Sequence, residues 1–157
     1  MGFGRLSWQH TLVNLVGYYW VQIPENIIYL CGLKQAGMNT RITDKLKDRS
    51  EGICELCTAE EATTAYAVSP KNNDAIENEV AICKTCLATL ETKDASQHWQ
   101  CLAGSIWNIE PAVQALSYRI LYSYKDQEWA NDIINSVDLD ESVTNWALSA
   151  FQIQPLH

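Results

Sequence analysis

The chain has 157 residues, of which 47% are hydrophobic and 6 are tryptophan, so it can form one packed domain or two small ones. Its formal net charge of −8 at pH 7 repels phosphate backbones, which disfavours non-specific nucleic-acid binding through counterion release. Four of the 6 cysteines fall in Cys-x-x-Cys motifs, which favours a reducing, cytoplasmic location over a disulfide framework.

Residues 1–37 differ from the rest of the chain because they contain only three charged side chains. A transmembrane anchor is one interpretation, but it needs about 20 mostly apolar residues, and polar side chains interrupt this stretch. A secretory signal is a second interpretation. It needs a cleavage site of small residues after the apolar core, whereas Gln22-Ile23-Pro24-Glu25 stands there. We favour a third interpretation, in which translation of the domain starts near Met38. No membrane contact is then expected.

The sequence after Met38 predicts a short helix and a β-hairpin. Residues 44–49 are predicted to form the helix, whose mixed charges are typical of a solvated face. Residues 65–68 and 80–82 are predicted to form two short strands joined by a loop rich in turn-forming residues. A further short helix is expected at residues 85–90.

Two Cys-x-x-Cys pairs, Cys54 with Cys57 and Cys83 with Cys86, are separated by 25 residues. Each pair directs two thiolates at one position, so together they supply a tetrahedral site for one Zn²⁺. Four sulfur ligands leave no coordination position open, which indicates a structural rather than a catalytic zinc. Two unrelated reduced pairs and a redox dithiol are the alternatives, and a thioredoxin-like dithiol would need a βαβ pattern that the sequence lacks.

The segment 97–107 is dense in large apolar side chains and contains Trp99 and Trp107. We expect both rings to cover the ribbon and to join it to the following helices, because a ribbon of this size has little core of its own. An exposed partner-binding surface is the alternative for these rings. His98 and Cys101 share a His-x-x-Cys spacing, but no second pair completes a metal site, so we interpret them as core or surface residues.

The last third of the chain predicts three helices with short connections, which implies antiparallel neighbours. The first begins at Glu110-Pro111, the second spans residues 126–135, and the third opens at residues 138–141. Arg119 is the one charged residue of the first helix, and we expect it to pair with a carboxylate of a neighbouring helix. The apolar positions expected to form the core are Val113, Leu116, Ile120, Trp129, Ile133, Ile134, Val143, Trp146, Ala147 and Ala150.

The predicted fold class is therefore α+β, with a small four-cysteine zinc ribbon built on a β-hairpin and followed by a short antiparallel helical bundle. Three units are expected. Residues 1–37 form an atypical N-terminal extension, residues 38–95 form the zinc ribbon with its leading helix, and residues 96–157 form the Trp-rich segment and the helical domain.

Several motifs follow one another in this chain: Cys54-Glu-Leu-Cys57, Tyr66-Ala-Val-Ser-Pro70, Cys83-x-x-Cys86, Trp99-x-Cys-Leu-x-x-Ser-Ile-Trp107, Pro111-Ala-Val-Gln-Ala-Leu-Ser-Tyr-Arg-Ile-Leu121, Trp129-Ala130 and Trp146-Ala147. In this order they resemble the PhnA family, called alkylphosphonate-utilisation proteins, over roughly residues 41–150. The resemblance implies zinc ligation by the four cysteines. Family members start near the position of Met38 and commonly continue into a small C-terminal β domain, for which residues 151–157 show no strand pattern.

The resemblance does not by itself imply phosphonate chemistry. A phosphonate hydrolase would need an open metal site or an activated nucleophile, and the sequence offers 3 histidines and no phosphate-cradling Gly-rich loop. We therefore expect a non-catalytic interaction module with one structural Zn²⁺ and a protein partner. The alternatives are a phosphonate-metabolism enzyme and, third, a zinc-ribbon nucleic-acid binder.

Overall fold

The computed structural model of the chain describes residues 40–71, 75–92 and 95–151. The three interpretations of residues 1–37 fall outside the described residues and stay predictions. In chain order the elements are β1 (Thr40–Arg41), α1 (Asp44–Arg49), β2 (Thr64–Ala67), a 3₁₀ turn (Ile76–Asn78), β3 (Glu79–Ile82), α2 (Lys84–Leu90), α3 (Ser96–Trp99), α4 (Leu102–Ser105), α5 (Pro111–Ser123), α6 (Glu128–Ser136), α7 (Glu141–Leu148) and a second 3₁₀ turn (Ser149–Phe151).

The sheet is small and antiparallel, with strand order β1-β2-β3. Tyr66 lies opposite Val80, and Thr64 lies opposite Ile82, so the predicted hairpin is confirmed with each strand beginning one residue earlier than expected. The sequence did not predict β1. That strand is two residues long, which is too short for alternation of apolar and polar side chains to be recognised.

Both faces of the hairpin are covered, and the strand sequences explain how. Ala65 and Ala81 lie on one face, where their small side chains allow α1 to approach and bury Leu46. Successive side chains of a strand point to opposite faces, so the larger residues of the hairpin face the helical layer. These residues are Tyr66, Val80 and Ile82.

Helix α1 has local signals at both of its ends. The Thr43 hydroxyl accepts a hydrogen bond from the backbone N–H of Leu46 at 3.3 Å, as expected of an N-cap threonine. At the other end Glu51 and Gly52 adopt φ values of +54° and +74°, and the N–H of Gly52 donates to the carbonyl of Lys47 at 2.8 Å. This left-handed turn ends the helix and directs the chain into the first cysteine pair.

Helix α5 lies at the centre of the helical layer and contacts α4, α6, α7 and β3. Pro111 begins it at a first-turn position, as the sequence predicts. Its predicted stripe of Val113, Leu116 and Ile120 is buried. Helix α7 buries Val143, Trp146 and Ala147, whereas Ala150 and the predicted core positions of α6, Trp129, Ile133 and Ile134, are only partly buried.

Arg119 on α5 is buried, and the expected pairing with a carboxylate is wrong. Its guanidinium donates to the carbonyl oxygens of Ala147 at 2.9 Å, Trp146 at 2.9 Å and Ser69 at 2.7 Å. The last carbonyls of a helix have no partner within the helix, and a cation is favoured at that end. Arg119 therefore binds the carboxyl end of α7 and the end of β2 at the same time.

Of the two tryptophans expected to cover the ribbon, only Trp99 does so. The Trp99 side chain is 2% exposed, whereas Trp107 is 60% exposed, so the expectation for Trp107 is wrong. Ile106 takes the buried position beside it, and adjacent residues of a helical turn do not face the same side. The link expected of Trp107 is made by Trp146 instead, whose indole N–H lies within hydrogen-bond distance of the carbonyls of Val68 at 3.2 Å and Ser69 at 3.1 Å.

Replacing Arg119 with methionine should lower the free energy of unfolding by about 3 kcal/mol, because carbonyls at the end of α7 and of β2 lose a charged donor in a buried setting. Denaturant unfolding followed by circular dichroism measures this change. Lys45→Met is the matched control, since Lys45 is an exposed residue of α1, and it should change the value by less than about 0.5 kcal/mol. Equal stability of the two variants would contradict this role for Arg119.

Candidate metal centre

The two Cys-x-x-Cys pairs converge on one position. All four sulfur atoms of Cys54, Cys57, Cys83 and Cys86 lie within 4.8 Å of one another, with 3.7 Å between Cys54 and Cys86 and 3.8 Å between Cys57 and Cys83. A tetrahedron with metal–sulfur bonds of about 2.3 Å has sulfur–sulfur edges of about 3.8 Å. The four residues that the sequence singles out are therefore arranged so that they could hold a metal ion.

The first pair lies on a tight turn between α1 and β2. The N–H of Thr58 donates to the carbonyl of Cys54 at 2.9 Å, and the N–H of Cys54 donates to the carbonyl of Glu60 at 2.8 Å. Thr58 adopts a φ of +54°, which is uncommon for a β-branched residue. This backbone turns sharply enough for the side chains of Cys54 and Cys57 to point the same way.

The second pair is positioned by the start of α2. Cys83 follows β3 directly and is the N-cap of α2, and its sulfur accepts a hydrogen bond from the N–H of Cys86 at 3.3 Å. The first turn of the helix then places Cys86 beside Cys83. Backbone donation to sulfur favours the thiolate form that a metal ion requires.

The thiols of Cys54, Cys83 and Cys86 perturb one another strongly. A hydrogen bond shared with Cys86 lowers the pKa of Cys54 to about 5 despite its burial. Burial, with a contribution from the charge on Cys54, raises the pKa of Cys83 to about 12, and the hydrogen bond shared with Cys54 followed by burial raises the pKa of Cys86. Once Cys54 is ionised, Cys83 and Cys86 resist ionisation, and a divalent cation placed between the sulfur atoms would remove that resistance.

His98 contacts this cluster, and the sequence did not predict that role. Its Nε2 atom lies 3.3 Å from the sulfur of Cys86, and its ring packs edge-on against Trp99 with 4.8 Å between centroids. A His98 ring that carries its proton on Nε2 donates a hydrogen bond to the Cys86 thiolate. Partners of this kind orient metal ligands and tune them. The His-x-x-Cys spacing was the available signal, but nothing local in the sequence shows that α3 returns to the ribbon.

Cys101 also lies near the cluster without belonging to it. Burial, together with the negative charges of Cys57 and Cys54, raises the pKa of Cys101 to about 11. Its sulfur is not among the four that could hold one ion. Cys101 is partly buried and packs against the larger core, which is consistent with the interpretation as a core or surface residue rather than a metal ligand.

Glu55 and Arg49 attach the first cysteine turn to the sheet. Glu55 is buried and accepts hydrogen bonds from Arg49 Nη2 at 2.7 Å and from the N–H of Ala81 at 2.7 Å. Arg49 also donates to the carbonyl of Ile76 at 2.7 Å, so it reaches from α1 across the loop before β3. The prediction that the charges of α1 form a solvated face is therefore wrong for Arg49, which sequence could not reveal because its partners are 6 and 27 residues away.

No protein-family model, no curated protein and no solved structure matches the chain. The resemblance to the PhnA family is thus neither supported nor contradicted by these comparisons. Within residues 40–71, 75–92 and 95–151, no helix is both long enough and apolar enough to cross a membrane.

His98→Phe should weaken the binding of a thiolate-preferring divalent ion about 10- to 100-fold, because the Cys86 thiolate loses its side-chain donor. His98→Gln keeps an N–H donor and should retain most of the affinity. Competition between the protein and a chelator for Co²⁺, followed by the cobalt–thiolate absorption band, measures the change. Gln97→Ala alters the exposed neighbouring position and serves as the control. Equal affinity of the phenylalanine variant and the control would show that His98 only fills space.

Proposed function

We propose that this chain is a PhnA-like zinc-binding module in which one Zn²⁺ has a structural role and which acts by binding a protein partner rather than by catalysis. The observation that carries the proposal is the arrangement of Cys54, Cys57, Cys83 and Cys86, whose sulfur atoms all lie within 4.8 Å of one another. The order of the Trp-rich motifs after the ribbon supports the relation to the PhnA family.

The chemistry of the donor atoms supports zinc as the bound ion. Four thiolates in a tetrahedral arrangement favour zinc or an iron–sulfur centre over calcium and magnesium, which prefer oxygen. Three of the four cysteines are buried, and only Cys57 is partly exposed. A closed shell of four sulfur ligands leaves no position at which a substrate or an activated water would bind, which supports a structural role.

The connections of the two cysteine turns explain what such an ion would stabilise. The first turn is attached to β3 through Glu55, and the second is continuous with β3 and α2. Binding of Zn²⁺ to zinc-finger peptides contributes about 10–16 kcal/mol near pH 7, which is comparable with the whole stability of a small domain. We therefore expect folding of the ribbon to depend on the ion.

Purified full-length protein should contain one zinc per chain by elemental analysis, and removal of the ion by a chelator should unfold the ribbon. Cys57→Ser removes the most accessible ligand with little change in core volume, and it should abolish stoichiometric zinc binding and lower the melting temperature.

Cys101→Ser is the matched control, because Cys101 lies beside the cluster but outside the group of four. This variant should retain one zinc per chain. The proposal is wrong if the natural protein contains iron or no metal, or if Cys57→Ser binds zinc as well as Cys101→Ser does.

A further inference from the structure

Two of the exposed apolar side chains on the described surface line one groove. Four large apolar residues of the described chain are conspicuously exposed: Ile53 at 44%, Trp107 at 60%, Ile109 at 89% and Phe151 at 38%. Ile53 and Ile109 line the same groove, which has a volume of about 400 Å³, and Trp107 is two residues from Ile109 in the chain. We call this groove the Ile53–Ile109 groove. Clustered exposure of this kind is typical of interaction sites, whereas single exposed apolar residues are common everywhere.

The wall that carries Ile109 is held by hydrogen bonds. The side-chain oxygen of Asn108 accepts from the N–H of Glu110 at 2.9 Å, and the N–H of Asn108 donates to the carbonyl of Ser105 at 3.0 Å. The side chain of Glu110 lies 3.7 Å from Arg49, which joins this wall to α1. Ile109 is therefore presented to solvent by an ordered turn, and a partner that covers it pays little additional ordering cost.

The groove carries an excess of negative charge. Three carboxylates line it, those of Glu51, Glu55 and Glu110, against the single guanidinium of Arg49. Arg49 is already bound to Glu55 at 2.7 Å and lies near Glu110, whereas Glu51 forms no ion pair with any described residue. Cys54 also lines the groove, so the proposed zinc centre, with four thiolates and one Zn²⁺, adds further negative charge behind it.

We infer that the Ile53–Ile109 groove is the docking site for a segment of a protein partner that combines a lysine or arginine with a leucine-like side chain. The aliphatic side chain would cover Ile53 and Ile109, and the cation would lie beside Glu51. A second copy of this chain is a poorer occupant, because each copy has a formal net charge of −8. The inference rests on the proposed role as a protein-binding module and adds the surface and the chemistry of the partner.

A fluorescein-labelled peptide of alternating lysine and leucine provides the probe, with the same peptide carrying glutamate for lysine as its counterpart. When the full chain is titrated into each labelled peptide at low ionic strength, fluorescence anisotropy should show binding of the lysine peptide and no binding of the glutamate peptide. Ile109→Ser and Glu51→Gln should each raise its Kd about tenfold. The matched controls are Phe151→Ser and Glu141→Gln, which change an exposed apolar and an exposed acidic residue outside the groove and should alter the Kd less than twofold.

Three outcomes would overturn the inference. Equal weakening by the groove variants and their controls would indicate non-directional attraction between an acidic chain and a cation. No binding of the lysine peptide would remove the assigned partner chemistry. Self-association in analytical ultracentrifugation that Ile109→Ser abolishes would assign the groove to a second copy. Zinc content is measured on the natural protein and on every variant, so that weaker peptide binding is attributed to the groove only where one zinc per chain is retained. A natural protein that contains one zinc per chain and does not bind the lysine peptide counts against this inference alone, whereas a zinc-free natural protein counts against the proposed function.

Discussion

The crowding of four cysteine sulfurs is the constraint on which the arrangement of the two cysteine turns depends. At separations near 3.7 Å the first thiolate suppresses ionisation of its neighbours, and the pKa of Cys54 falls while those of Cys83 and Cys86 rise. Without an ion, thiolates in this cluster repel one another, and the hydrogen bonds that Glu55 accepts from Ala81 and Arg49 act against that repulsion. A dication converts the same repulsion into attraction at every ligand. The turn that carries Cys54 and the turn that begins α2 are then held at a fixed distance.

Around that cluster the β2–β3 hairpin is connected to the helices by polar groups as well as by apolar contact. Arg119 and Trp146 both donate to Ser69 at the end of β2, from two different helices. Together they satisfy the carbonyl of Ser69, and leaving such a group without a donor is costly in a protein interior. His98 makes a similar connection from α3 to Cys86. A substitution at any of these positions is therefore expected to destabilise both of the elements that the contact connects.

Much of the local structure could be predicted from the sequence because its signals are local. The Cys-x-x-Cys spacing placed all four sulfurs correctly, and Thr43, Pro111 and the apolar stripes marked the helices. The misplaced residues are those whose surroundings are set by distant parts of the chain. Arg119 donates to backbone carbonyls rather than to the expected carboxylate. Ile106 is buried, whereas its larger neighbour Trp107, which was expected to be buried, is exposed. Residue spacing predicts neither the partners of Arg119 nor the exposure of Trp107, because both depend on which surfaces meet after the helices pack.

The hydrogen bond from Trp146 to Val68 joins residues that are 78 positions apart, and this bears on the order in which a growing chain can complete its structure. Ribosomes add about 5–20 residues per second, so the end of β2 emerges roughly 4–16 s before the indole that will cap it. The four cysteines are all made much earlier, since Cys54 and Cys86 are only 32 positions apart. During synthesis, then, the four cysteines can come together first, while the carbonyl of Val68 remains hydrated until α7 arrives.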